Sequence, residues 1–149
     1  MSAVGSASAS QQPASRMVFE FPVRVYYEDT DAGGIVYYAN YLRFFERART
    51  EWLRALGATH AKLEAEDGLL FVVRDFTIEY LKPARLDDEL IIDVRVTEAR
   101  RASLTLEQSA RIAGSDEILV KARARVATLR RGATRPAPMP QWLLQELNQ

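Results

Sequence analysis

The chain has 149 residues, and its 20 basic and 20 acidic side chains cancel, so its charge does not favour nucleic acid or an anionic membrane surface as a partner. Its length fits one globular domain. The absence of cysteine excludes disulfides, thiolate metal sites and cysteine nucleophiles, and a single histidine, His60, excludes a multi-histidine zinc site. We therefore expect no metal ion and no other cofactor.

The two ends of the chain differ in composition from its middle. Residues 1–16 are rich in Ser, Ala and Gln and lack the basic start and apolar run of a secretory signal, so we predict a disordered tail there. Residues 17–131 are predicted to form the folded domain. Residues 132–149, with three prolines and then an amphipathic stretch at Gln141–Leu147, are predicted as a C-terminal tail with a short helix. No segment approaches the roughly eighteen apolar residues that span a bilayer, which favours a soluble, cytoplasmic protein.

An acidic loop joins the first predicted strand to a long helix. Apolar side chains alternate from Phe19 to Val25, which predicts a half-buried strand. The loop that follows contains Glu28, Asp29 and Asp31 and ends in a double glycine. From Tyr41 to Leu56 apolar residues then recur every three or four positions, which is typical of an amphipathic helix. The carboxylates are therefore delivered to the N-terminus of a helix.

The second half of the chain reads as strands. After a weaker helical segment at Thr59–Glu66, period-two alternation predicts further strands around residues 75–80, 90–97, 103–107 and 119–129. Short turns separate them, which favours an antiparallel meander. We predict an α+β domain in which a five-stranded antiparallel sheet curls around one long central helix. Such a sheet has open edges, so we expect a homodimer that continues the sheet.

The run VRVYYEDTDAGGIVYYANYLRFFERARTEWL, residues 23–53, resembles the signature of the hotdog-fold acyl-CoA thioesterases of the YbgC and 4-hydroxybenzoyl-CoA thioesterase type. The resemblance extends through residues 71–74, 79–88 and 100–103 and covers roughly residues 18–130. It implies the hotdog fold, in agreement with the plan read from the periodicity. It also implies a homodimer or a homotetramer.

Thioester hydrolysis needs a nucleophile or a base that activates water, together with a donor to the oxyanion that develops on the carbonyl oxygen. Asp31 could take either of the first two roles, and backbone N–H groups around Tyr38, at the start of the helix, are available as donors. The resemblance implies that Asp31 is the catalytic aspartate and that the Tyr38 N–H polarises the thioester carbonyl.

The segment Arg100-Arg101-Ala102-Ser103 offers an exposed pair of guanidinium groups at a strand turn, which suits the phosphates of CoA. The resemblance implies that Arg100, Arg101 and Ser103 contact the nucleotide end of CoA; the alternative is a solvated turn without a ligand. The resulting hypothesis is an enzyme that hydrolyses a short- to medium-chain or aromatic acyl-CoA to free acid and CoA. Acyl carrier protein is an alternative acyl donor.

Some of these residues also have simpler interpretations. Glu28 and Asp29 are interpreted as the polar setting of Asp31, although a polar loop that only caps the helix is the alternative for the whole cluster. The loop also begins like a calcium-binding EF-hand, but Asn40 stands where that motif needs a glutamate, which argues against calcium. Tyr38 occupies a position that is histidine in many YbgC-type proteins, so no imidazole is expected in the site. His60 is interpreted as an exposed surface residue.

Two other functions are compatible with this fold. One is a non-catalytic scaffold that binds acyl-CoA or acyl carrier protein, against which the carboxylate loop argues. The other is a dehydratase, which fits less well because such sites generally use a histidine on the helix, and this helix has none.

Overall fold

The computed structural model describes residues 18–148. Five strands form one antiparallel sheet in the order β1-β3-β4-β5-β2. They are β1 (Phe19–Arg24), β2 (Leu69–Tyr80), β3 (Glu89–Ala99), β4 (Ser103–Ile112) and β5 (Ile118–Arg130). The predicted five-stranded antiparallel sheet is therefore confirmed. The tail predicted at residues 1–16 lies outside the described residues.

The longest helix of the described residues is α1, which begins at Asn40 and ends at Ala55. Its apolar side chains fall on one stripe because they recur every three or four residues, and they pack against the sheet in one hydrophobic core. The buried members of the stripe are Tyr41, Phe44, Phe45, Ala48, Trp52 and Leu53. Two residues after the end of the helix, Gly57 turns the chain away; its φ of 86° lies in the left-handed region that favours glycine.

The alternation read from the sequence decides which face of the sheet meets α1. In β3, the side chains of Leu90, Ile92, Val94 and Val96 are buried, and the residues between them are half-buried or exposed. The buried face joins the core, and the other face carries charged side chains that pair across the strands. Glu107, for example, bonds to Arg95 and Arg123, each at 3.2 Å, and the bond from Arg123 is the main cause that lowers the pKa of its carboxyl.

Two shorter helices complete the core. Helix α2 (His60–Lys62) continues into a π-helical turn at Leu63–Asp67, and α3 spans Gln141–Leu147, where a short helix was predicted. Leu143 and Leu147 of α3 are fully buried in the same core as α1. Within residues 18–148, no helix is both long and apolar enough to cross a membrane.

The segment before α3 lies along the end of β5. The Ala137 N–H donates to the Thr128 carbonyl at 2.7 Å, and the Thr128 hydroxyl donates back to the Ala137 carbonyl. The Met139 N–H donates to the carbonyl of Arg101 at 2.9 Å. The C-terminal segment is thus fastened to the sheet at the turn between β3 and β4.

The sheet has two distinct ends. At one, here called the acidic-loop end, β1 and β2 finish and β3 and β5 begin. At the other, the arginine-turn end, β3 turns into β4 through Arg100 and Arg101 and β2 begins. At about 3.3 Å per residue, the 11 residues of β3 separate the two ends by roughly 35 Å.

The two edge strands are not equivalent. β1 is short and contains Pro22, and a proline on an edge strand guards it against pairing with another chain. β2 has 12 residues, a bulge between Val73 and Asp75, and two exposed valines, Val72 at 40% and Val73 at 45%. The β2 edge is therefore the better surface for continuing the sheet.

Because Leu143 is fully buried, we expect Leu143→Ala to lower the free energy of unfolding by about 2–5 kcal/mol, through lost burial and the cavity left behind. Urea denaturation followed by circular dichroism measures this. The matched control is Gln145→Ala, an exposed position of the same helix, which should stay within about 0.5 kcal/mol of the wild type. Equal stability of the two variants would contradict the packing of α3.

Candidate functional site

Asp29 holds the acidic loop in place. Its carboxylate accepts the Tyr26 N–H at 2.8 Å, which closes the short 3-10 turn at residues 27–29. Its backbone carbonyl accepts two hydrogen bonds at 2.9 Å, one from the Tyr37 N–H and one from the side-chain amide of Asn40. Asp29 therefore connects the end of β1 to the first residue of α1, which is a structural role.

Asp31 lies at the tip of a small hairpin closed by a bridge between Thr30 and Val36. One carboxylate oxygen, Oδ1, accepts the Gly33 N–H at 2.8 Å. A Cβ on Gly33 would come within 3.3 Å of that oxygen, and Gly34 has a φ of 79°, so each glycine meets a need of this turn. The side chain is exposed, and within residues 18–148 its second oxygen, Oδ2, has no hydrogen-bond donor. That oxygen is free for chemistry.

The hairpin is anchored at the acidic-loop end of the sheet. The Val36 N–H donates to the carbonyl of Ala84 at 2.9 Å, and Ile35 forms an isolated bridge with Arg85. The segment that contains Ala84 and Arg85 leads directly into β3. Asp31 therefore has a defined position relative to the start of α1.

Tyr38 stands just before α1 and offers a free backbone donor. Within residues 18–148, its N–H has no hydrogen-bond acceptor. Its carbonyl accepts the hydroxyl of Tyr80 at 3.0 Å, and the two rings meet edge to face with centroids 6.0 Å apart. Tyr38 is 62% exposed. The carbonyl of this residue is thus held by Tyr80, while its N–H has no acceptor within residues 18–148.

Two tyrosines contact each other beside this turn, Tyr41 of α1 and Tyr80 at the end of β2. The ring of Tyr41 lies 5.7 Å from that of Tyr80, and its hydroxyl accepts the Ala84 N–H at 3.3 Å. Burial raises the pKa of the Tyr41 phenol, and burial followed by the neighbouring Tyr38 phenol raises that of Tyr80. Tyr80 therefore stays protonated at neutral pH and can donate to Tyr38.

The predicted nucleotide-contacting residues lie elsewhere. Arg100 and Arg101 are exposed in the β3–β4 turn, where the Arg100 N–H donates to the Ser103 carbonyl at 2.8 Å. The Arg100 guanidinium is 3.0 Å from the carboxylate of Glu98. Asp31 and Tyr38 thus both lie in the loop at the acidic-loop end, whereas Arg100, Arg101 and Ser103 lie at the arginine-turn end of the same chain.

Two contacts were not anticipated from the sequence. One is the hydrogen bond from the Tyr80 hydroxyl to the Tyr38 carbonyl, because the alternation around Tyr80 indicated only that it belongs to a strand. The other is Arg49, which reaches Gln108 of β4 from beside the apolar stripe of α1. A charged residue next to the stripe was the available signal. His60 is exposed, as predicted.

No group of three or more His, Asp or Glu side chains within residues 18–148 is arranged to hold a metal ion. The acidic-loop end offers the Asp31 carboxylate and the Tyr38 N–H at a helix start. A carboxylate can attack a carbonyl carbon or activate water, and an unpaired N–H can stabilise the oxyanion that forms.

Comparison with known proteins matches residues 25–147 to the thioesterase-like superfamily. The acyl-CoA thioesterase YbgC of Haemophilus influenzae is 48% identical over 122 residues, which cover 82% of this chain and 88% of that protein. The acyl-CoA thioester hydrolase YbgC of Escherichia coli O6:H1 is 44% identical over 133 residues, or 89% of this chain and 97% of that protein.

Solved structures agree. A probable thioesterase from Bartonella henselae is 36% identical and superposes with a TM-score of 0.78, over 83% of this chain and 100% of that chain. The 4-hydroxybenzoyl-CoA thioesterase from Pseudomonas sp. strain CBS-3 is 20% identical, with a TM-score of 0.79 over 87% of this chain and 98% of that chain, and supports the fold alone. The predicted hotdog thioesterase fold is confirmed.

Because the Asp29 carboxylate accepts the Tyr26 N–H, we expect Asp29→Ala to lower the free energy of unfolding by about 0.5–2 kcal/mol, the range found when a capping side chain is lost. Thermal and urea unfolding measure the change. Glu28→Ala, an exposed neighbour in the same turn, is the control and should shift stability by less than about 0.5 kcal/mol. A larger loss from Glu28→Ala than from Asp29→Ala would contradict the assignment.

Proposed function

The chain belongs to the thioesterase-like superfamily and is a thioester hydrolase, and we propose that it cleaves short- to medium-chain or aromatic acyl-CoA through Asp31 and the Tyr38 N–H. The observation that carries this proposal is that the loop before α1 holds a carboxylate with a free oxygen and, at the helix start, a backbone donor that has no acceptor within residues 18–148. The two YbgC relatives, which are named as acyl-CoA thioester hydrolases, support CoA as the acyl carrier.

The reaction needs few groups. The thioester carbonyl oxygen accepts the Tyr38 N–H, which lies at the positive end of the α1 dipole. Asp31 then takes one of two roles. It takes a proton from a water that attacks the carbonyl carbon, and the CoA thiolate leaves to give the free acid; or it attacks the carbonyl carbon itself, the thiolate leaves, and water then hydrolyses the resulting mixed anhydride to the free acid and restores the Asp31 carboxylate. A single oxyanion donor contributes roughly 3 kcal/mol of transition-state stabilisation in acyl transfer. Tyr80 assists by fixing the carbonyl of Tyr38, which keeps the turn that presents the N–H in one orientation.

In the proposed complex, Arg100 and Arg101 contact acyl-CoA that is bound at the acidic-loop end of a second copy of the chain. Within one chain, Arg100 and Arg101 lie roughly 35 Å from the acidic-loop end, judged from the length of β3. If two copies pair their β2 edges in antiparallel fashion about a two-fold axis, the acidic-loop end of one copy lies beside the arginine-turn end of the other. We therefore place Asp31 and Tyr38 of one copy and Arg100, Arg101 and Ser103 of its partner around each bound acyl-CoA.

Replacement of the carboxylate tests the chemistry. In Asp31→Asn the amide oxygen can still accept the Gly33 N–H, so the turn should persist, but the side chain loses its charge and basicity. We expect kcat for acyl-CoA hydrolysis to fall by about a hundredfold to ten-thousandfold, with unchanged thermal unfolding. Free thiol release is measured with a chromogenic disulfide. Glu28→Gln is the control and should keep wild-type kcat; full activity in Asp31→Asn would refute the role of Asp31.

Removal of the arginines tests nucleotide binding and the composite site together. Because these contacts are exposed, we expect the double variant Arg100→Ala, Arg101→Ala to raise KM for acyl-CoA by about five- to tenfold. Its kcat/KM for the matching N-acetylcysteamine thioester, which lacks the nucleotide, should not change.

Hybrid oligomers then separate a shared site from a site within one chain. The arginine double variant and Asp31→Asn are co-expressed with different tags, and the hybrid is purified. In a hybrid dimer, a shared site gives one undamaged site and one doubly damaged site, so about half of the wild-type activity returns at low acyl-CoA concentration. If both halves of the site belonged to one chain, every site would carry a lesion, and the activity would be only about half that of the arginine double variant.

A further inference from the structure

A small cavity lies between the second half of α1 and the inner face of the sheet. Its volume is about 80 Å³, and most of its walls are apolar. They are formed mainly by Trp52, Leu53, Phe71, Leu104 and Leu106. A pocket with apolar walls and a few fixed polar groups is the usual form of a ligand site. The polar residues that line this cavity are Glu46, Arg49, Thr50 and His60, and Arg49 is held by a side-chain hydrogen bond.

Two contacts hold Arg49 in place. Its Nη1 donates to Oε1 of Gln108 at 2.9 Å, and its guanidinium carbon lies 5.7 Å from the centroid of the Phe76 ring. Gln108 is itself buried, at 4% exposure, and its amide nitrogen donates to the Phe45 carbonyl at 3.1 Å. This second bond fixes the orientation of the Gln108 amide, so that its oxygen must face Arg49. The guanidinium is therefore held by the sheet as well as by its own helix.

The donors of Arg49 exceed the acceptors around them. A guanidinium has five N–H groups, and the only acceptor that the described residues provide is the Gln108 oxygen. No salt bridge joins Arg49 to a carboxylate of residues 18–148, although Glu46, one turn earlier on α1, also lines the cavity. Burial lowers the pKa of Arg49, and the nearby Glu46 carboxylate offsets part of that effect. A half-buried cation with unused donors next to an apolar cavity invites an oxygen atom from a ligand.

The cavity also lies where a partner's thioester would be. It is lined by Phe71 and Val73, near the start of β2, whereas Tyr80 at the end of β2 contacts Tyr38. Antiparallel pairing of two β2 edges would place the partner's Tyr80 and Tyr38 beside this chain's Phe71 and Val73. Within one chain, by contrast, Arg49 follows Tyr38 by 11 residues, which is about 17 Å along a helix.

We infer that this cavity receives the acyl group of the substrate and that Arg49 selects acyl groups that carry a hydroxyl over unsubstituted acyl groups of the same size. The inference rests on the proposed thioester hydrolysis and on the β2-paired dimer. A hydroxyl group fits because it can accept from Arg49 and donate to Glu46, whereas a carboxylate would meet the negative charge of Glu46. An unsubstituted acyl group would cover the Arg49 donors without satisfying them, which is the kind of mismatch that polar sites reject strongly.

Matched substrate pairs test this inference. We measure kcat/KM for butanoyl-CoA with 3-hydroxybutanoyl-CoA, and for benzoyl-CoA with 4-hydroxybenzoyl-CoA. The wild type should prefer the hydroxylated member of at least one pair by about ten- to a hundredfold, the range for a hydrogen bond to a charged group. In Arg49→Met, which keeps the length and loses the donors, that ratio should fall close to one, mainly by loss of activity on the hydroxylated substrate.

The control is Arg47→Met, which makes the same change at an exposed position two residues away and should keep the wild-type ratio. Arg49→Lys, which keeps the charge but not the planar fork of donors, should also lose most of the preference, and it replaces Arg49→Met if that variant does not fold. A wild-type ratio near one for both pairs, an unchanged ratio in the Arg49 variants, or an equal loss on both members of a pair would each overturn the inference. If the wild type hydrolyses none of the four substrates, the proposed function fails first.

Discussion

The Asp29 carbonyl, which accepts one hydrogen bond from the Tyr37 backbone and another from the Asn40 side chain, fixes where the acidic loop meets α1. If that junction moved, the hairpin tip that carries Asp31 and the free N–H of Tyr38 would no longer share one space. The sheet adds the second constraint, because Ala84 accepts from the hairpin while Tyr80 donates to the Tyr38 carbonyl. The hairpin and Tyr38 are thus held by backbone contacts from two sides, and in the proposed reaction Asp31 is the side chain that takes part in the bond changes.

This arrangement separates positioning from reactivity within a short stretch of sequence. Asp29 and Asp31 are two residues apart and carry the same functional group. The Asp29 carboxylate accepts a hydrogen bond from the loop backbone, whereas the exposed Asp31 carboxylate has one oxygen without a donor within residues 18–148. The two backbone groups of Tyr38 differ in the same way: within residues 18–148 its carbonyl accepts a hydrogen bond and its N–H donates none. A side-chain change from histidine to tyrosine at such a position leaves the donor unaltered, because the donor belongs to the backbone.

Local patterns were sufficient to predict the elements, but not the contacts between distant ones. Alternation predicted the strands, three- and four-residue spacing predicted α1, and the motif around Asp31 supplied a candidate site before any coordinates. The bond from Tyr80 to Tyr38 joins residues 42 apart, and the bond from Arg49 to Gln108 joins residues 59 apart, so each depends on how strands and helix are arranged in space. The separation of Arg100 from Asp31 likewise depends on strand direction and length. The segments around Asp31 and Arg100 can both be recognised in the sequence, but neither pattern indicates that they lie at opposite ends of the sheet.

The bond from the Met139 N–H to the Arg101 carbonyl connects the arginine turn to the last helix. Leu143 and Leu147 bury that helix in the core, so the turn and the C-terminal segment are ordered together. If the turn binds the nucleotide as we propose, ligand binding there and local opening of the C-terminus are thermodynamically linked, and each shifts the equilibrium of the other by the same free energy. The C-terminal segment would then act as a latch: its fraying would weaken nucleotide affinity, and a bound nucleotide would slow amide exchange in the last helix.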